Sequence, residues 1–104
     1  MKITIPMEHL DGKLEFITID ASMPFEMFGF TFATHRRLKP DGTFDFNAGW
    51  VVSEITSGAV VRRGDLRTEA IENARLTLQS VGEVRLKKEV KKILKRQKKA
   101  GRKL

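Results

Sequence analysis

The chain has 104 residues, a formal net charge of +7 and no cysteine, so one small domain is expected and disulfides, thiolate metal sites and a cysteine nucleophile are excluded. The N-terminal segment lacks the apolar run of a signal peptide, and no stretch approaches the roughly 20 apolar residues of a membrane span. These features predict a soluble cytoplasmic protein.

The positive charge is concentrated at one end of the chain. Residues 85–104 carry eleven basic side chains against one acidic, whereas residues 1–84 carry nine against twelve. The formal charge is therefore +10 on the last twenty residues and −3 on the remainder. Such a concentration of cations predicts a polyanionic partner for the C-terminal segment.

The chain opens with a predicted hairpin. Apolar and polar residues alternate over residues 2–7, and a run of β-branched and aromatic residues follows over residues 14–19. Asp11-Gly12 between these runs is a strong signal for a hairpin turn. Pro6 favours an edge position for the first strand, and the pattern breaks at residues 21–24.

Three further strands are predicted before the first helix. Residues 25–38 are interpreted as one strand with a bulky face. That face carries three phenylalanines, Phe28, Phe30 and Phe32. Pro40-Asp41-Gly42 predicts a tight turn, alternation resumes over residues 44–52, and residues 59–63 can form a short last strand. The expected sheet is an antiparallel meander of about five strands, near the common sheet size.

A helix is predicted after the strands. Asp65 is a suitable N-cap because its carboxylate can accept from the free amides of the next turn, and Gly82 is the expected C-terminal stop. The side chains expected to pack on the sheet recur at spacings of three and four: Ile71, Ala74, Leu78 and Val81. Residues 1–82 are therefore expected to form a small α+β domain, followed by a helical extension over residues 83–104.

The extension is predicted to be a basic amphipathic helix that is regular from residue 85 or 86, because Val84 is the one apolar residue that falls among the lysines. On a wheel of about 100° per residue, one arc collects the aliphatic residues Leu86, Val90, Ile93 and Leu94. The candidate nucleic-acid-binding residues are the basic side chains of the segment: Arg85, Lys87, Lys88, Lys91, Lys92, Lys95, Arg96, Lys98, Lys99, Arg102 and Lys103.

This pattern favours a non-enzymatic module that binds DNA or RNA largely without sequence specificity, since cations on one side of a helix can lie along a phosphate backbone. Lysine predominates, and its point charge does not give the bidentate base recognition of arginine. The aliphatic arc is expected to dock on the chain's own domain or on a second copy. The alternative is a protein-interaction module whose tail binds an acidic partner or forms a homodimer through that arc. A membrane surface is disfavoured, because the arc contains no Trp or Phe.

No catalytic or metal-binding motif is apparent in the sequence. Glu8, His9 and Asp11 run into a turn, which is more typical of a solvated polar cluster than of a metal site. His35 stands beside Arg36 and Arg37 and is expected at the surface. Neither a cofactor, nor a metal, nor enzymatic activity is predicted.

The segment Gly64–Ala74, preceded by Gly58 and a short predicted strand, resembles the strand-to-helix passage of HicB-type antitoxins. The resemblance spans residues 58–78, about a fifth of the chain. It implies a small sheet with a packed helix, a small RNA-cleaving toxin as protein partner, and no catalysis. The chain differs from that family in having about forty more residues of predicted sheet before this passage, and in lacking the family's C-terminal helix-turn-helix or ribbon-helix-helix. A small phage or mobile-element accessory protein fits the same features.

Overall fold

The computed structural model describes residues 1–104 and shows an α+β fold with six strands followed by two helices. The elements are β1 (Lys2–Glu8), β2 (Leu14–Asp20), β3 (Ser22–Met27), β4 (Phe30–Leu38), β5 (Phe44–Glu54), β6 (Val60–Gly64), α1 (Arg67–Val81) and α2 (Glu83–Lys99). β1 and β2 form a two-stranded antiparallel sheet, and β3 to β6 form a four-stranded one in chain order. The α+β class is confirmed, but the strands form two sheets instead of the predicted single one.

The predicted hairpin turns at Gly12 and Gly42 are both confirmed. Gly12 has a φ of +82° and its N–H donates to the carbonyl of His9, closing the turn between β1 and β2. Gly42 has a φ of +86° and its N–H donates to the carbonyl of Lys39, closing the turn between β4 and β5. Both turns use the positive φ that glycine adopts without steric cost.

The predicted single strand over residues 25–38 is wrong, because a two-residue turn divides it. Phe28 and Gly29 have φ angles of +55° and +82°, and Met27 pairs with Phe30 as β3 folds back on β4. Two consecutive residues at positive φ are typical of the hairpin turns whose twist matches that of the flanking strands. The three phenylalanines assigned to one strand face therefore lie partly in the turn and partly on β4.

The four-stranded sheet is covered on both faces. One face contributes Phe32 and Val52 to a core that it shares with both helices. The other face contributes Ala33 to a second core, shared with isoleucines of the β1–β2 hairpin. Since consecutive strand residues such as Phe32 and Ala33 point to opposite faces, the molecule has three layers: helices, four-stranded sheet and hairpin.

Helix α1 begins one residue later than predicted. Leu66 occupies its N-cap position without a side-chain capping bond, so the assignment of Asp65 as N-cap is wrong. The connection is tight at Gly64, where a Cβ would lie 2.8 Å from the Ala70 nitrogen, and this close approach leaves Asp65 exposed outside the helix. Gly82 ends α1 as predicted. The fully buried residues of α1 are Ala70, Ala74 and Leu78, with Ile71 and Val81 half-buried at the margin.

Helix α2 follows α1 after a single residue. Gly82 has a φ of +82°, a conformation that favours glycine and lets the chain change direction between the helices. α2 is regular from Glu83 instead of from residue 85 or 86, and Val84 is left 83% exposed in its first turn. Leu86 and Val90 belong to the same core as α1 and the sheet, so α2 completes the packing of the domain.

Candidate nucleic-acid interface

The apolar side of α2 packs against the rest of the chain. Leu86 and Val90 are 7% and 5% exposed. Leu94 is half-buried at the edge of the same core, and Ile93 lines a groove between α2 and the β1–β2 hairpin. Leu86, Val90 and Leu94 thus pack on the chain's own domain and Ile93 faces a groove beside it, so the domain is the docking surface of the aliphatic arc in this chain. A dimer through Leu86 and Val90 would require α2 to leave the core.

A buried glutamine fixes the C-terminal half of α2. Gln97 is 3% exposed, and its Nε2 donates a 2.6 Å hydrogen bond to the carbonyl oxygen of Ser57, in the turn between β5 and β6. That turn is held by the buried carboxylate of Glu54, which accepts from the backbone amides and the hydroxyls of Thr56 and Ser57. α2 is therefore anchored by aliphatic packing near its start and by a hydrogen bond to an ordered turn near its end.

Arg102, one of the candidate nucleic-acid-binding residues, turns toward the domain. Its Nη1 donates to Oε1 of Gln97, and its guanidinium carbon lies 5.9 Å from the ring centroid of Phe16 in β2. These contacts leave Arg102 half-buried, whereas Lys103 beside it is exposed. Arg102 therefore helps to anchor the end of the chain, and its charge is partly withdrawn from the exposed surface.

The outward side of α2 and the residues after it carry cations, all but one of which lack a carboxylate partner. The exposed basic residues are Arg85, Lys87, Lys88, Lys91, Lys92, Lys95, Arg96, Lys98, Lys99 and Lys103. Lys87 alone forms an ion pair, with Glu83 at 3.0 Å, and both of these side chains are more than half exposed, so the pair adds little stability. The other cations of this set have no carboxylate oxygen within 4.0 Å. This surface, called the cationic face below, is open to an external polyanion.

The cationic face covers about half of the helix circumference on a wheel of 100° per residue. Four residues form the row furthest from the buried side: Lys88, Lys92, Lys95 and Lys99. Lys91 and Lys98 lie on one flank of this row, and Arg85 and Arg96 lie on the other. Glu89, the one acidic residue among them, accompanies the arginine flank. From Arg85 to Lys99 the face extends for about 21 Å at 1.5 Å per residue.

Three arginines outside α2, one on β4 and two on α1, lie over aromatic rings. The guanidinium carbons of Arg36 and Arg67 lie 4.2 and 3.9 Å from the ring centroid of Trp50. Arg75 lies 4.5 Å from the ring centroid of Phe25. Such cation–π contacts hold the guanidinium in place and cover the ring, so these arginines are not simple extensions of the cationic face.

His35 is buried, so the expectation of a surface position is wrong. The hairpin layer covers this face of β4, and His35 is only 5% exposed. Its Nδ1 lies 2.7 Å from the carbonyl oxygen of Arg36, and its Nε2 lies 2.9 Å from Oγ of Ser53. Because a carbonyl only accepts, we assign the ring proton to Nδ1 and the donor role to the Ser53 hydroxyl. Burial lowers the pKa of His35 below 6.5, although the Arg36 carbonyl acts in the opposite direction.

Gln97 and Glu54 help to hold α2 on the domain, and the sequence did not predict either role. Gln97 lies four residues after Ile93, on the aliphatic arc of the wheel, and a polar residue in such an arc is usually hydrogen-bonded when buried. Glu54 is followed at two and three residues by Thr56 and Ser57, whose hydroxyls and amides are local donors in a turn. Both signals are present in the sequence, but only the fold shows that they meet through Ser57.

The remaining polar clusters and the two helices do not form a metal site or a membrane span. Nε2 of His9 lies 2.8 Å from Oε2 of Glu15, and no group of three or more His, Cys, Asp or Glu side chains is arranged to hold a metal ion. Neither helix has the length and apolar character needed to cross a membrane. No protein-family model matches the sequence, and comparisons with curated proteins and with solved structures give no match either.

Proposed function

We propose that this protein is a non-enzymatic module that binds nucleic acid, largely without sequence specificity, through the cationic face of α2. The observation that supports this proposal is the combination of an anchored helix with exposed cations, of which Lys87 alone has a carboxylate partner. Cations brought to a phosphate backbone release condensed counterions, which supplies affinity for any sequence. Lysine ammonium groups contact phosphates without distinguishing bases.

Anchoring makes the charge of α2 more effective. Like charges four residues apart, such as Lys88 and Lys92, weaken an isolated helix, and a disordered tail loses conformational entropy when it binds. In the folded chain, burial of Leu86 and Val90 stabilises the helix by about 1.5–3 kcal/mol for each fully buried side chain. The helix that carries the cations is therefore formed before the ligand arrives, and less backbone entropy is lost on binding.

The charge pattern also differs from that of a helix selected for stability alone. Exposed helix faces gain a few tenths of a kcal/mol, about 0.2–0.5, from each pair of opposite charges at a spacing of four. α2 has one such ion pair, Glu83 with Lys87, and it lies in the first turn. The other residues of the cationic face have neighbours of like charge. This pattern favours an external polyanion as their partner.

The experiment compares two variants with the same loss of charge. K88Q/K92Q/K95Q/K99Q removes the outward row of α2, and K13Q/R37Q/K39Q/R63Q removes four exposed cations of the sheet domain. Glutamine has nearly the helix propensity of lysine, so α2 is expected to stay folded, which circular dichroism would check. Anisotropy of labelled DNA and RNA is then measured against salt concentration. Loss of about four phosphate contacts predicts a salt slope smaller by roughly 3 to 4 for the α2 variant.

The two variants distinguish an affinity loss caused by the position of the removed charges from one caused by the lower net charge. A large loss of affinity in the α2 variant, with the control near the wild type, supports the proposal. Equal losses in both variants would show that the total charge matters and not the cationic face, which contradicts the proposal. If the wild-type chain bound neither DNA nor RNA at low salt, the proposal would fail and the alternative of a protein-interaction module, as the HicB-like passage implies, would be favoured.

A further inference from the structure

We infer that the ligand of the cationic face is double-stranded DNA, with α2 at the major groove and each of its flanks toward one of the two phosphate backbones. This inference rests on the proposed function and specifies its ligand. It is drawn from the distribution of cations around α2, from the absence of aromatic side chains on that face, and from the arginines that cover aromatic rings elsewhere.

The two flanks of α2 point away from each other. Lys91 and Lys98 lie on one side of the outward row, and Arg85 and Arg96 on the other. The major groove of B-form DNA is about 12 Å wide with a phosphate backbone on each side, and an α-helix with its side chains is about 10–12 Å across. A helix at this groove therefore brings both flanks to phosphates at once. A single strand has one row of phosphates and leaves one flank without a partner.

The outward row suits the floor of the groove. The four residues of this row are all lysines: Lys88, Lys92, Lys95 and Lys99. The floor presents an N7 acceptor on every purine, and a flexible ammonium group can reach such acceptors or the phosphates at the rim. Neither contact requires a particular base sequence. The geometry is thus consistent with groove binding that is nearly independent of sequence.

Single-stranded nucleic acid is usually bound by exposed aromatic rings on which bases stack. Residues 83–99 contain no aromatic side chain. Elsewhere, guanidinium groups of the same chain lie against Trp50 and Phe25. Phe46 is the one strongly exposed ring, at 69%, and one ring does not make a stacking platform for successive bases. The surface is therefore poorly suited to an unpaired strand.

Double-stranded RNA is also disfavoured as a ligand. The major groove of an A-form helix is deep and narrow, and its minor groove is wide and shallow. A convex helix with cations on two opposite flanks can reach only one backbone at a time on such a surface. We therefore expect duplex DNA to bind at least about tenfold more tightly than single-stranded DNA or duplex RNA of equal length at the same salt concentration.

The first test measures affinity against salt concentration for the full chain with three ligands of matched sequence: duplex DNA, single-stranded DNA and duplex RNA. About eight phosphate contacts on duplex DNA, four from the outward row and two from each flank, predict a slope near −7, and about six on a single strand predict a slope near −4. If single-stranded DNA or duplex RNA bound as tightly as duplex DNA, the inference would be overturned. The proposed function would survive that result, provided that K88Q/K92Q/K95Q/K99Q still weakened the binding.

The second test uses two variants that each remove two charges, K91Q/K98Q on one flank and R85Q/R96Q on the other. Contact of both flanks with phosphates predicts that each variant reduces the magnitude of the duplex slope by about 2. A reduction in only one of them would place α2 on a single backbone and contradict the groove geometry. F46A is the control for base stacking and is expected to leave duplex affinity unchanged. Loss of binding in F46A would also overturn the inference.

Discussion

Replacing Gln97 by alanine should lower the free energy of unfolding by more than the loss of one hydrogen bond to Ser57 would. The carbonyl of Ser57 is buried and accepts from Gln97 Nε2 at 2.6 Å, and an unsatisfied buried acceptor costs about 1–3 kcal/mol. Arg102 loses its acceptor in the same step. The higher helix propensity of alanine offsets less than about 0.7 kcal/mol. We expect the free energy of unfolding to fall by about 1.5–3 kcal/mol. A loss of about 2 kcal/mol would lower the melting temperature of a domain of this size by roughly 8–16 °C.

Urea unfolding followed by circular dichroism would measure this effect. The matched control is Q79A, because Gln79 is exposed on α1 and its loss leaves no buried acceptor. A second variant, Q97E, keeps the shape of the side chain and its acceptor for Arg102 but places an oxygen against the Ser57 carbonyl, so it should also destabilise. If Q97A unfolded at the same urea concentration as Q79A, the reasoning that Gln97 anchors α2 would be refuted.

Two further predictions concern the opposite layer of the fold. Burial lowers the pKa of His35 from 6.5, so His35 binds a proton more readily in the unfolded chain than in the folded chain. The free energy of unfolding should therefore be highest above about pH 6.5 and decline as the pH falls through 6.5 toward the lowered pKa; H35Q should show a smaller decline in urea titrations at several pH values. At Gly58, which has a φ of +68°, a Cβ would lie 2.3 Å from the Thr4 carbonyl. G58A should therefore lose at least about 2 kcal/mol more stability than G12A, since nothing lies within 4 Å of a Cβ at Gly12; equal losses would contradict this packing argument.

Local signals account for the parts of the fold that the sequence predicted. Gly12, Gly42 and Gly82 all adopt positive φ; the first two lie in the hairpin turns and the third ends α1, at the places that the sequence indicated. The turn at Phe28-Gly29 was missed because it requires a positive φ at a bulky residue, which is uncommon. The alternation of phenylalanine with small residues also continues across this turn, so the pattern itself shows no break.

Longer-range packing accounts for what the sequence did not predict. The alternation in β1 and β2 predicts a hairpin, but it does not reveal that this hairpin covers the second face of the four-stranded sheet. The burial of His35 follows from that layer. It could not be predicted from β4 alone, because the neighbours Arg36 and Arg37 suggest a surface strand. The helical wheel likewise identified both sides of α2, but it left open whether the aliphatic side contacts the domain or a second copy.

The resulting arrangement places stability and proposed ligand binding on opposite sides of one helix. Leu86, Val90 and Gln97 contact the domain, whereas Lys88 and Lys92 point outward and touch no carboxylate. Substitutions on the buried side should therefore lower the free energy of unfolding, and K88Q/K92Q/K95Q/K99Q should slightly raise it by removing like charges four residues apart. If the outward lysines stabilised the fold, their neutralisation should lower the free energy of unfolding instead. A gain in stability together with a loss of DNA affinity would show that these lysines serve ligand binding and not stability.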